Sequence, residues 1–67
     1  MSYYFRVMPD GEEWVCKRGA RVLERCETES MAVLIAESEA SVHRPSEVLL
    51  QDESGHVEIV ARYSALD

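Results

Sequence analysis

The feature that most restricts how this chain can fold is the closeness of its turn signals: three short runs of strand character follow one another with only a few residues between them. Tyr3 to Met8 alternates, with Tyr3, Phe5 and Val7 on one side and Tyr4, Arg6 and Met8 on the other, and is rich in strand formers. Pro9-Asp10-Gly11-Glu12 follows; proline presets φ and glycine accepts positive φ, so the chain reverses there into a second strand, Glu13 to Arg18. Gly19-Ala20 then suits a two-residue type II′ turn leading to a third strand, Arg21 to Cys26. With that turn, opposing residues have numbers summing to 39. Cys16 then faces Leu23, Trp14 faces Arg25 and Cys26 faces Glu13, so the two thiols are not disulfide partners.

Thr28 is placed to cap a helix running to about Val42, its hydroxyl accepting from first-turn amides, with Glu29 favourably set against the helix dipole. Met31, Leu34, Ile35 and Val42 recur at helical spacing and are expected to form the buried stripe, opposite Glu29, Glu37 and Ser41. Ala32, Ala36 and Ala40 add small side chains that allow close approach to a sheet. His43-Arg44-Pro45 ends the helix, because the residue before proline is pushed out of the α region. Glu47 to Gln51 reads as a fourth strand, Asp52-Glu53-Ser54-Gly55 as a type I turn, and His56 to Tyr63 as a fifth strand. In that last strand Val57, Ile59, Ala61 and Tyr63 are expected on one face, and His56, Glu58, Val60 and Arg62 on the other. The fold class is therefore α+β: a small antiparallel sheet with one helix on one face, in the order β-β-β-α-β-β.

A chain of 67 residues has material for a single core, so residues 1–67 are expected to be one domain. Its net charge of −6 is unevenly spread. Residues 1–25 hold five bases (Arg6, Lys17, Arg18, Arg21, Arg25) against four acids, whereas residues 26–67 hold two (Arg44, Arg62) against nine. An acidic chain disfavours generic binding to nucleic-acid phosphates. Met1 to Asp10 lacks a basic segment leading into a long apolar run, and Met31 to Ala36, the longest apolar stretch, is too short to span a bilayer. The expected setting is therefore cytoplasmic and off the membrane. Cys16 and Cys26 lack the close pairing and the histidines of a zinc site, so they are expected to be shielded thiols in a reducing compartment, and no cofactor is implied.

Val7 and Pro9, Trp14 and Lys17, Thr28 with Ala32 and Ala36, Val48 to Leu50, and Gly55 with Val57 follow one another in a pattern that spans nearly the whole chain. In this the sequence resembles an uncharacterised bacterial family of short proteins, a domain of unknown function of about 60–70 residues. Gln51 stands where that pattern often has histidine, and Ser64 follows Tyr63 in place of glycine. The resemblance implies a fold and supplies no catalytic residues.

No local motif links either cysteine to His43 or His56, and no glycine-rich phosphate loop is present, so the chain is not expected to be an enzyme. Two surfaces stand out. Trp14, Arg18, Arg21 and Arg25 are expected to share one side of the second hairpin, an indole beside three guanidinium groups that could stack on bases and pair with phosphates. The competing reading puts Trp14 in the core, with the arginines around the sheet edge. Glu29, Glu37, Asp52 and Glu53 form a candidate acidic surface that could dock a basic protein or, in a phage setting, imitate nucleic acid to block a defence enzyme. The leading expectation is a non-enzymatic interaction module for a protein partner, with a homodimer through strand edges or leftover apolar helix surface as one route. The alternative is weak nucleic-acid binding by the hairpin around Trp14.

Overall fold

The computed structural model describes residues 1–66. Five strands, β1 (Tyr3–Asp10), β2 (Glu13–Arg18), β3 (Arg21–Cys26), β4 (Ser46–Gln51) and β5 (Val57–Tyr63), form one sheet in the order β3-β2-β1-β4-β5. The helix α1 (Glu29–Val42) lies across one face. The fold class is α+β with the expected element order. Its pairs are antiparallel except at the centre, where β1 and β4 run parallel. Two hairpins make β3 run parallel to β1; the helix then carries the chain back so that β4 enters in that same direction, as only a crossover connection can.

Gly11 and Gly19 have φ of +66° and +61°, and each opens a two-residue turn closed by the pairs Asp10↔Glu13 and Arg18↔Arg21. The positive φ that these turns require is what glycine supplies without steric cost. β1 continues through Pro9 beyond the sequence expectation. Proline is tolerated there because β1 pairs with β4 only from Tyr3 to Val7 and is an edge strand past that point.

Both edge strands carry a one-residue bulge, which corrects two expectations. In β3 the register sum of 39 holds for Lys17↔Val22 and Arg18↔Arg21, then slips, giving Cys16↔Glu24, Val15↔Arg25 and Trp14↔Cys26, with Leu23 the extra residue. In β5 the pairs Leu49↔Ile59 and Val48↔Ala61 leave Val60 extra. Strict alternation therefore fails along β5: Ala61 and Tyr63 pack against the core, whereas Ile59 and Val57 pair with Leu49 and Gln51, positions on the face away from the helix.

The core joins Phe5, Val7, Cys16 and Val48 from the sheet with Ala32, Ala36 and Ala40 from α1, each 0% exposed, and Cys26 at the end of β3. The expected helical stripe is corrected by this arrangement. Met31, Leu34 and Val42 are 52%, 63% and 74% exposed; Ile35 is half-buried; and the alanines, spaced four apart, take the inward position. Below the helix the sheet already presents full-sized side chains at Phe5, Val7 and Val48, so close packing leaves room for methyl groups at the fully buried helix positions, with the half-buried Val33 and Ile35 packing alongside. Thr28 caps the N-terminus, its Oγ1 accepting from the Met31 amide at 3.2 Å. At the C-terminus three of the last four carbonyls find partners beyond the helix. Ala40 accepts from the buried Ser46 hydroxyl at 2.6 Å, Glu39 from His43 Nδ1 at 2.9 Å and Ser41 from Arg44 Nε at 2.9 Å.

Candidate functional site

The structure divides the four residues of the hairpin patch between two ends of the sheet. Trp14 is half-buried beside the first turn, packed against the core and paired with Pro9 and Cys26. Arg18 and Arg21 flank the second turn, four residues further along β2 and so about 13 Å away along the strand. The expectation that Arg25 shares their side is corrected by the Leu23 bulge. Arg25 pairs with Val15 on the face away from α1, where its guanidinium lies 2.9 Å from Asp10 and 3.7 Å from Glu13. Both ion pairs are solvent-exposed, a geometry that contributes little to stability.

Of the four acidic residues, Glu29, Asp52 and Glu53 lie at one end of the sheet and Glu37 is set apart from them along the helix. Glu29 stands exposed in the first turn of α1 and Glu37 is half-buried in its middle, while Glu53 is exposed in the β4–β5 connection. Asp52 organises that connection: its Oδ1 accepts from the Ser54 hydroxyl at 2.6 Å, the Ser54 amide at 2.9 Å and the His56 amide at 3.0 Å. The Ser54 hydroxyl bond is the main reason its carboxyl titrates below the ordinary range, with the two amide bonds adding to it.

Cys16 and Cys26 are free, buried thiols in the core. Burial pushes the Cys16 thiol up to about 11, with the negative charge of Glu39 adding to it, and raises Cys26 as well. His43 donates to the Glu39 carbonyl and sets its ring against Tyr3 and Phe5, at 5.5 and 6.1 Å between centroids, and His56 is exposed ahead of β5. Among the described residues no group of three His, Cys, Asp or Glu side chains could hold a metal, and no helix is long and apolar enough to cross a membrane.

What the sequence does not display is how the topology sorts charge along the strands. One end of the sheet carries the β1–β2 turn, the β4–β5 turn and the start of α1, and gathers Asp10, Glu12, Glu13, Glu27, Glu29, Asp52 and Glu53. The other end carries the β2–β3 turn, the end of α1 and the starts of β1 and β4. It gathers Arg6, Lys17, Arg18, Arg21, Arg44 and Arg62 together with all three tyrosines, Tyr3, Tyr4 and Tyr63. Arg62 is held by Glu47 at 2.9 Å. Among the described residues the other five cations lie outside ion-pair distance of any carboxylate. Residues far apart in sequence make this end, which is why a linear count of charge does not reveal it.

A second surface is apolar. The outward residues Met31, Leu34 and Val42 run along α1, and beside Leu34 a groove of about 420 Å³ is lined by Glu29, Ser30, Val33, Leu34, Leu50 and Val60. No family model, no curated protein and no solved structure matches this chain.

Proposed function

We propose that this chain is a non-enzymatic protein-interaction module that self-associates, two copies packing the outward faces of α1 antiparallel about a two-fold axis. The observation that carries this reading is the exposed stripe Met31, Leu34 and Val42, three large aliphatic side chains on the face that the fold leaves uncovered. The charge distribution supports the antiparallel sense. A two-fold axis across a 14-residue helix, about 21 Å long, sets the acidic end of each copy, with Glu27 and Glu29, beside the basic end of the other, with Arg44. The alternative route through strand edges is disfavoured by the bulges at Leu23 and Val60, which interrupt the row of backbone groups that a second strand would need. A standard interface takes roughly 800 Å² from each partner, about a sixth of the 4557 Å² surface here, an area of the order of one face.

Sedimentation equilibrium across a concentration series tests the proposal. A concentration-dependent dimer that becomes monomeric in Leu34→Glu, while Ile59→Glu on the opposite face of the sheet leaves it intact, is the expected result. A monomer at every concentration, or a dimer indifferent to Leu34→Glu, would overturn it.

A further inference from the structure

The net charge of −6 opposes any polyanion at long range, yet a ligand at contact distance meets local charge, and the screening length at physiological salt is only about 8 Å. On the face of the sheet away from α1, Arg6 and Lys17 stand directly opposite each other on neighbouring strands. Like charges in that relation repel, and no carboxylate among the described residues compensates them. Tyr4 lies two residues before Arg6 on the same face and is 53% exposed. Beside it a hollow of about 300 Å³ is lined by Tyr4, Arg6, Gly19 and Leu49. The other two tyrosine rings are already covered by guanidinium groups, Tyr3 by Arg18 at 5.7 Å and Tyr63 by Arg44 at 5.2 Å, which leaves Tyr4 as the ring able to receive a ligand.

We propose that this face is a binding site for a short stretch of single-stranded nucleic acid, one base stacking on Tyr4 and the adjoining phosphates held by Arg6 and Lys17. The uncompensated Arg6–Lys17 pair calls for an anion, which an acidic peptide would also supply. The exposed Tyr4 ring decides between them, because it gives a base a partner for its π-face, whereas a carboxylate needs none. An unpaired strand is required because bases stacked in a duplex cannot present their faces. The site lies on the sheet face opposite α1, so it does not depend on self-association through the helix.

Fluorescence anisotropy with a labelled single-stranded oligonucleotide, a duplex of the same length and a poly-glutamate peptide tests the site on the full chain. The single strand is expected to bind more tightly than the other two. With two phosphates neutralised, its affinity should fall about seven-fold between 50 and 200 mM salt. Tyr4→Ala is expected to weaken binding about ten-fold or more and Tyr4→Phe to retain it. Arg25→Gln, at the acidic end, and the monomeric Leu34→Glu variant should both bind as the parent does. Absence of salt-sensitive binding, or equal affinity for poly-glutamate with no effect of Tyr4→Ala, would overturn the assignment, the latter in favour of an acidic protein partner.

Discussion

The inward face of α1 is alanine and its outward face methionine, leucine and valine, the reverse of what hydrophobicity alone would arrange. Size decides the matter. Ala32, Ala36 and Ala40 let the helix settle onto a sheet whose own side chains, Phe5, Val7 and Val48, supply most of the core volume. The larger residues are then left exposed, and it is on them that the proposed self-association rests. The comparison separates two kinds of apolar stripe, one selected by the space available under the helix and one by the space beyond it.

The strongest way to break that comparison is to enlarge the inward face. Ala36→Leu should destabilise the fold by about 3 kcal/mol in urea denaturation, because the added carbons have no room between α1 and β1. Alkaline titration probes the core that the alanines close. The Cys16 thiol is raised in the fold from its ordinary value of 9.0 to about 11, so the folded state holds its proton more tightly than the unfolded chain does. Its contribution is fully present below pH 9 and is lost as pH rises to about 11, on the order of 2 kcal/mol, and Cys16→Ala should flatten that decline. Ser46→Ala removes the buried hydroxyl that seats the helix C-terminus on β4 and should cost about 1 kcal/mol, the Ala40 carbonyl keeping the longer bond from the His43 amide at 3.3 Å. The outward face supplies the contrast. Leu34→Ser should change monomer stability by no more than about 0.5 kcal/mol while weakening self-association, and a loss comparable to that of Ala36→Leu would show the outward face to be part of the fold.

Much of the architecture was legible because it rests on local chemistry. The Gly11 and Gly19 turns, the Thr28 cap and the helix end before Pro45 follow from the conformations those residues permit or forbid. Side assignment was less legible. A single extra residue at Leu23 places Arg25 on the opposite side from Arg18, and another at Val60 sends Ile59 and Ala61 to opposite sides, and nothing in the local sequence marks either position as a bulge. Of the hairpin patch, Arg18 and Arg21 do lie at the cationic end, but Tyr3, Tyr4, Lys17, Arg44 and Arg62 reach it through strand pairing and the helix crossover.

The sequence by itself determined where the chain extends, where it coils and where it reverses, since these choices are made within a few residues by φ preferences, capping and periodicity. Only the tertiary structure decided which stripe of α1 faces inward, which side each edge-strand residue takes and that opposite charges gather at opposite ends of the sheet. Those outcomes depend on the volume and position of residues from other parts of the chain, and one inserted residue or one filled space is enough to reverse them.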